Sequence, residues 1–209
     1  NSTYSGTISV KASNSCGTSA PATLNVTVAA GAAPIPDFTI SNAVQCLSGN
    51  AFTFTNGSTA AAGTTIFSTV WDFGDLASST STSPSHSYAD ANEFAVLLNV
   101  TASNGCAGSV SKLITVNPIP TGLISGSTSI CIGNTATISV ALTGTAPWTL
   151  VHSGSSTPVV VNSSPYIFTV APSSTTSYTI SSLTDANCSA STGDLSGTAT
   201  VIVNANNPA

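Results

Sequence analysis

A seven-residue pattern, Val-x-Ala-Ser-Asn-x-Cys, occurs twice in this chain, as Val10–Cys16 and as Val100–Cys106. A looser version, Asp-Ala-Asn-Cys at Asp185–Cys188, follows a third apolar stretch. The cysteines of these three motifs lie 90 and then 82 residues apart. Cys46 and Cys131 are themselves 85 residues apart, so one module of about 85 residues recurs along the chain. This period is typical of one small β-sandwich per repeat.

The spacing of the cysteines predicts a disulfide framework. There are no close C-x-x-C pairs of the kind that zinc favours, so regular spacing indicates an oxidising, extracytoplasmic compartment. Cys46 is expected to pair with Cys106, and Cys131 with Cys188, each across about sixty residues within one module. Cys16 is then left unpaired, and we expect the chain to begin within a domain. The predicted location is extracellular or on the cell surface.

Charge is scarce in this chain, which bears on its partners. Charged residues make up 4% of the sequence, with two Lys or Arg residues and a net charge of −5. Nucleic-acid binding needs a basic surface, so we expect no nucleic-acid partner. No run of eighteen apolar residues occurs, so we expect no membrane insertion. A surface with so few charges lacks the usual protection against sheet-to-sheet association, which favours self-association into fibres.

Hydrophobic periodicity predicts an all-β chain of tandem sandwich modules. Alternating apolar residues in 1–30 indicate a hairpin, interpreted as the C-terminal part of an incomplete immunoglobulin-like module. Two strands alone are marginal in water, so this hairpin needs an upstream half-domain or strands donated by a neighbouring molecule. Short proline-containing linkers separate it from modules at 34–117 and 119–204. No window carries the spacing of an amphipathic helix.

The middle module resembles the PKD (polycystic kidney disease) domain family. The resemblance rests on three elements in order: Trp71-Asp72-Phe73-Gly74-Asp75, then Pro84–Tyr88 with its Pro-x-His-x-Tyr pattern, then the aromatic-led strand Phe94–Val100. It implies a β-sandwich over about residues 34–117. Two glycines usual in the family are replaced, one by Leu76 and one in the region of Asn92 and Glu93.

The third module resembles immunoglobulin-like repeats of very large surface proteins from Bacteroidetes-type bacteria. The motifs that carry this resemblance are Cys131–Gly133, Ala146–Trp148, Ser164–Tyr166 and Asp185–Cys188. In that group such repeats alternate with PKD domains. Together the two resemblances imply a giant secreted adhesin or surface-fibre protein, exported by the type IX secretion system and used in attachment or gliding.

The Asp72-Phe73-Gly74 triplet is also the magnesium-binding motif of protein kinases, but the catalytic loop and strand lysine of a kinase are missing. We therefore interpret Trp71 and Phe73 as core residues on one face of a strand, with Asp72 facing outward and Gly74 opening a turn.

His86 and Tyr88 are two residues apart, so in an extended segment their side chains project to the same face. This shared parity predicts an inward pair joined by a buried hydrogen bond.

Four of the seven acidic residues, Asp72, Asp75, Asp90 and Glu93, fall within 22 residues. Such a set of carboxylates could form an oxygen-ligand site for calcium, the one cofactor that the sequence suggests. The alternative for Asp75 is a turn cap that accepts backbone N–H bonds.

No clustered acid/base pair occurs in the sequence, so we expect no enzymatic activity.

Two non-catalytic functions are then open to the chain. In the first, the chain is a disulfide-stapled stalk or filament segment whose partners are neighbouring repeats. In the second, it is a module that binds a surface polysaccharide or a protein. Trp71 and Trp148 are expected in the cores, which leaves Tyr4, Tyr166 and Phe168 as candidate exposed aromatic residues for sugar stacking.

Overall fold

A computed structural model describes residues 4–28 and 31–205 of the chain. Within these ranges the only helical element is a short 3-10 turn, Thr192–Asp194, and the all-β prediction is confirmed. The chain forms two compact units, residues 1–39, 54–84 and 96–112 in one and 40–53, 85–95 and 113–209 in the other. Both units draw on the segment 31–117, so the module boundaries 1–30, 34–117 and 119–204 stay a prediction. Residues 1–3 and 29–30 of the first predicted module lie outside the described ranges.

The N-terminal hairpin, residues 4–28, is a two-stranded antiparallel sheet of β1 (Tyr4–Val10) and β4 (Ala22–Val28). Its tip carries the short strands β2 (Ser13–Asn14) and β3 (Gly17–Thr18). Ile8 pairs with Leu24, and alternate residues place the apolar side chains on one face. That face is open: the exposed fractions are 56% for Ile8 and 64% for Leu24.

The middle segment, residues 31–117, contains eight strands in two sheets. The strands are β5 (Phe38–Ile40), β6 (Val44–Cys46), β7 (Phe52–Asn56), β8 (Ile66–Asp72), β9 (Ser78–Ser79), β10 (Ser85–His86), β11 (Glu93–Ala102) and β12 (Ala107–Asn117). One sheet has the order β10-β7-β5 and the other the order β6-β12-β11-β8-β9. β6 pairs with β12 in parallel, with Cys46 opposite Asn117.

Aromatic side chains form the core of this segment. In the first unit Phe38, Phe54 and Trp71 are fully buried, and the Phe38 and Trp71 rings meet edge to face at 5.1 Å between centroids. The indole Nε1 of Trp71 donates to the carbonyl oxygen of Ser81 at 2.9 Å, so the polar edge of the ring is satisfied. The prediction that Trp71 and Phe73 point into the core while Asp72 faces solvent is confirmed.

In the second unit, the buried side chain of Asn50 holds the segment that carries Tyr88. Its Oδ1 accepts the Tyr88 N–H at 2.7 Å, and its Nδ2 donates to the carbonyl oxygens of Tyr88 and Leu47 at 2.9 and 2.8 Å. The Tyr88 ring stacks on Phe94 at 4.2 Å. Asn50 therefore satisfies backbone groups that the short strand β10 leaves unpaired.

The C-terminal segment, residues 119–204, contains ten strands in three sheets. The strands are β13 (Gly122–Ser125), β14 (Thr128–Cys131), β15 (Ala136–Leu142), β16 (Trp148–His152), β17 (Val159–Val161), β18 (Tyr166–Val170), β19 (Thr176–Tyr178), β20 (Ile180–Thr184), β21 (Leu195–Ser196) and β22 (Ala199–Asn204). The sheet orders are β18-β15-β13-β21, β14-β22-β19 and β17-β16-β20. Ile138, Val140, Leu150 and Val201 are among its fully buried core residues, and Trp148 is buried as predicted.

The predicted disulfides, Cys46 with Cys106 and Cys131 with Cys188, are wrong. The bond in the structure joins Cys46 to Cys188, with a Cα–Cα distance of 5.8 Å, and both residues belong to the second unit. Cys16, Cys106 and Cys131 are free; only the unpaired state of Cys16 was predicted. Sequence period indicates which cysteines are equivalent, but a disulfide needs two Cβ atoms that face each other at short range.

Candidate functional site

The Asp72–Ala77 turn after β8 is held by its own carboxylates. Asp72 Oδ1 accepts the N–H of Gly74 at 2.9 Å, and Asp75 Oδ1 accepts the N–H of Ala77 at 3.1 Å. The turn-cap interpretation of Asp75 is thus confirmed. Gly74 has a left-handed φ of 83°. Leu76, which stands where the PKD resemblance leads us to expect glycine, also has a left-handed φ, of 74°.

The predicted calcium site at Asp72, Asp75, Asp90 and Glu93 is not assembled. Within residues 4–28 and 31–205, no three Asp, Glu, His or Cys side chains form a group that could hold a metal ion. Asp72 and Asp75 direct carboxylate oxygens to the backbone of their own turn. Closeness in sequence did not produce convergence, because a strand end and a tight turn direct neighbouring side chains to different sides.

His86 and Tyr88 lie in ring contact, which agrees with the predicted common face, while the hydrogen bond between them stays a prediction. Their centroids are 4.7 Å apart with the rings almost perpendicular. Tyr88 is buried, whereas His86 is partly exposed. The pair therefore contributes packing beside the Phe52 ring, which meets Tyr88 edge to face at 5.5 Å.

A groove of about 540 Å³ on the first unit is the strongest candidate binding site in the described part of the chain. Phe67, the second residue of β8, lines it and is 78% exposed, an unusual state for a phenylalanine within a strand. Its remaining lining is mostly hydroxyl and amide side chains, including Asn56, Ser68, Thr80 and Thr82. One flat apolar ring among neutral hydrogen-bonding groups suits a sugar ring or a neutral peptide segment better than a charged ligand.

Sequence alternation alone misplaces Phe67. It has the same parity as Trp71 and Thr69, both of which are buried, so a regular strand would turn it inward. The ladder between β8 and β11 instead pairs Ser68 with Thr101 and Ile66 with Ala102, which leaves Phe67 as the extra residue of a β-bulge. A bulge redirects one side chain, and here it directs Phe67 into the groove.

The candidate sugar-stacking residues Tyr166 and Phe168 are not free platforms. Both are half-buried and pack beside His152, whose ring stacks on Phe168 at 4.1 Å between centroids. The side chain of Tyr4 lies outside the described part. The prediction is therefore wrong for Tyr166 and Phe168, because each packs against the core of the C-terminal segment.

His152 is a buried histidine with one satisfied nitrogen. Its Nδ1 accepts the N–H of Gly154 at 3.1 Å, and Nε2 has no hydrogen-bond partner among the described residues. Removal from water lowers the pKa of His152 below its ordinary value, so the neutral form persists in the folded protein. The accepted bond on Nδ1 places the remaining proton on Nε2.

The Asp185–Cys188 loop presents the disulfide cysteine. Asp185 Oδ1 accepts the N–H groups of Asn187 and Cys188 at 2.8 and 2.6 Å, and Oδ2 accepts that of Thr145 at 2.8 Å. Partial burial by itself raises the pKa of Asp185, but these three donors together outweigh it and hold the pKa below its usual value. The ionised carboxylate thus fixes the position of Cys188.

No helix long and apolar enough to cross a membrane occurs in residues 4–28 and 31–205.

Comparison with known proteins identifies the middle segment. The family described as the PKD domain matches residues 31–117. A microbial collagenase of Vibrio alginolyticus is 32% identical over 71 residues, which is 34% of this chain and 9% of the collagenase. The chain therefore matches less than a tenth of that relative's length.

Two solved PKD domains are also similar. The PKD1 domain of the Vibrio cholerae metalloprotease PrtV is 29% identical, with a TM-score of 0.36, over 41% of this chain and 98% of that domain. The PKD1 domain of Vibrio anguillarum Epp is 26% identical, with a TM-score of 0.37, over 42% of this chain and 96% of that domain. From the turn motif, its buried Trp71 and the family match, residues 31–117 of this chain are a PKD domain.

Proposed function

We propose that this chain is a repeat segment of a large secreted cell-surface adhesin or fibre protein, acting as a disulfide-stapled stalk without catalysis. The observation that carries the proposal is the Cys46–Cys188 bond, which joins a strand of the PKD domain covalently to a loop of the following segment. A stalk must keep successive repeats connected under load, and a covalent bond between them serves that purpose. The partners of the chain are then neighbouring repeats and other copies of the same protein.

The predicted compartment and the family comparison support this role. Disulfides persist in oxidising environments. The matched relative is a microbial collagenase, of which the matching region makes up 9%. These observations support an extracellular module. We infer export through the type IX secretion system from the resemblance of the C-terminal segment to immunoglobulin-like surface repeats. Nucleic acid and membrane insertion have no part in this role.

Deletion of residues 31–204 from the full-length protein on its native cells tests the stalk. The surface projection should become shorter in electron micrographs, while attachment of the cells persists. Unchanged projection length together with loss of attachment would contradict the stalk and favour a binding module.

A second candidate function, recognition of a glycan or a protein, is favoured by the Phe67 groove. Stacking of a sugar or peptide group on the exposed ring should supply a large part of the affinity. We expect Phe67→Ala to weaken binding on a glycan array at least tenfold without lowering the unfolding temperature. Ile167→Ala, a matched change of an exposed apolar residue on β18, should leave binding unchanged. Equal effects of the two substitutions would exclude the groove as the site.

A further inference from the structure

Two cysteines of the chain occupy equivalent strand ends. Cys46 is the last residue of β6, which runs parallel to β12 and places Cys46 opposite Asn117, the last residue of that strand. Cys131 is the last residue of β14, which runs parallel to β22 and places Cys131 opposite Asn204, again the last residue. Both cysteines thus lie beside the C-terminal end of the last strand of their segment.

The residue after each cysteine shows the same equivalence and one difference. The N–H of Leu47 donates to the carbonyl oxygen of Asn117 at 2.8 Å, and the N–H of Ile132 donates to that of Asn204 at 3.1 Å. Leu47, beside the bonded cysteine, is mostly buried. Ile132, beside the free cysteine, is exposed, with an exposed fraction of 47%. The Cys131 end therefore has the same construction as the Cys46 end, but it is uncovered.

A second kind of cysteine lies at hairpin and loop tips. In each case an Asx side chain accepts the N–H of the cysteine, at 2.9 Å for Asn14 and Cys16, 3.0 Å for Asn104 and Cys106, and 2.6 Å for Asp185 and Cys188. The tip cysteine of the C-terminal segment is the one that bonds to Cys46.

Two of the tip cysteines also lie beside an end of the middle segment. The Sγ of Cys188 is 4.0 Å from the carbonyl oxygen of Asn117, and both residues belong to the second unit. The Sγ of Cys106 is 3.3 Å from the carbonyl oxygen of Gly31, and both belong to the first unit. Gly31 precedes Asn117 by 86 residues, one repeat period. Cys106 therefore lies beside the start of the middle segment, and Cys188 lies beside its end, opposite which Cys46 is placed.

We propose that Cys131 and Cys106 form further disulfides between repeats. Cys131 bonds to the tip cysteine of another module of this architecture, and Cys106 bonds to a strand-end cysteine. The partner is a module that carries an Asx-capped tip cysteine, as three tips of this chain do. The inference rests on the proposed stalk function and extends it, because the staple then recurs from one repeat to the next. Each bond joins neighbouring repeats, in contrast to the staple within each module that the sequence period suggested.

Formation of such a bond requires a disulfide-bonded oxidant, for which oxidised glutathione serves in the test. The thiolate of Cys131 attacks one sulfur of the oxidant, forms a mixed disulfide and releases one glutathione thiolate. The thiolate of the tip cysteine then attacks the Cys131 sulfur and displaces the second glutathione. Two cysteine thiols are oxidised to one disulfide, and one oxidised glutathione is reduced to two thiols.

The test uses the 209-residue chain itself, since its exposed Cys16 is a tip cysteine that a second copy can offer to Cys131. The protein is incubated in a glutathione redox buffer, and cross-linked peptides are mapped by mass spectrometry without reduction. We expect inter-chain links between Cys131 and Cys16 to exceed Cys131–Cys131 and Cys16–Cys16 links at least tenfold. Random collision of two exposed thiols would give comparable amounts of all three.

A matched variant moves the thiol by one residue. Cys131→Ser combined with Ile132→Cys keeps an exposed thiol on the same strand end but removes its position opposite Asn204, so links to Cys16 should fall at least tenfold. Any of three results would overturn the inference. These are undiminished linking by this variant, comparable amounts of the three inter-chain links in the parent, and glutathione adducts without inter-chain links. Free thiols at Cys46 and Cys188 would instead remove the joint on which the proposed function rests, so the two failures are distinguishable.

Discussion

At the scale of single residues, Leu76 shows a conflict between backbone and side chain. Among the described residues it is the one non-glycine residue with a positive φ, 74°, and its side chain is fully exposed. A left-handed conformation costs an L-residue with a Cβ about 1–2 kcal/mol, and this side chain gains nothing from packing in return.

We predict that Leu76→Gly stabilises the protein by about 0.5–1 kcal/mol, since relief of strain exceeds the added flexibility of the unfolded chain. Urea denaturation measures the change in unfolding free energy. Leu76→Ala keeps the Cβ and should give no such gain. A destabilised glycine variant would show that the turn tolerates leucine without strain.

His152 makes stability depend on pH. Because burial lowers its pKa in the folded state, the unfolded chain takes up the proton first as pH falls through 6.5, the ordinary value. The unfolding free energy should therefore decrease from pH 7.5 towards pH 5.5, and His152→Phe should abolish this decrease. Thermal unfolding of both proteins across this range measures the effect. An identical slope in the variant would assign the pH dependence to another group.

At the scale of elements, two hairpins with the same motif have opposite surroundings. Val100, on β11, is fully buried in the PKD domain, whereas Val10, at the same motif position on β1, is 65% exposed. The local sequence is equivalent, so the difference arises from what covers each hairpin. A two-stranded sheet with an open apolar face is marginally stable in water.

Hydrogen exchange should separate the N-terminal hairpin from strands of a packed core. We predict that amides of β1 and β4 exchange at least a hundredfold faster than those of β15 and β16, which lie in a packed core, because local opening of the hairpin exposes little additional surface. The 209-residue chain in its oxidised form is the sample, with peptides resolved by mass spectrometry. Protection of β1 equal to that of β15 would mean that the apolar face is covered in solution, as in a dimer.

At the scale of the whole molecule, the Cys46–Cys188 bond spans 142 residues of sequence and so restricts a large part of the unfolded chain. In the chain-entropy picture, closing a loop of that length stabilises the folded state by about 4–5 kcal/mol. We predict that Cys188→Ala lowers the unfolding free energy by up to this amount in guanidinium chloride. Cys131→Ala, which changes a free and exposed cysteine, should leave it within about 0.5 kcal/mol of the parent. Equal stability of the two variants would contradict the bond.

Much of the core could be predicted from sequence because it depends on local period. The parity of Trp71 and Phe73 along β8 decides which face they share, and the carboxylate of Asp75 reaches an N–H only two residues away. Phe67 could not be predicted in this way, because the bulge that turns it outward is a property of the pairing with β11. The candidate groove therefore lies where alternation fails.

By itself the sequence determined the all-β class, the repeat period, the PKD motif and the equivalence of the cysteines, since each of these follows from residue types at short or regular spacing. Only the tertiary structure decided that Cys46 meets Cys188, that Val10 is exposed while Val100 is buried, and that the four acidic residues do not converge. The physical reason is that a bond, a buried side chain or a metal site depends on which distant segments come within a few ångströms. Equivalent local sequences leave that open.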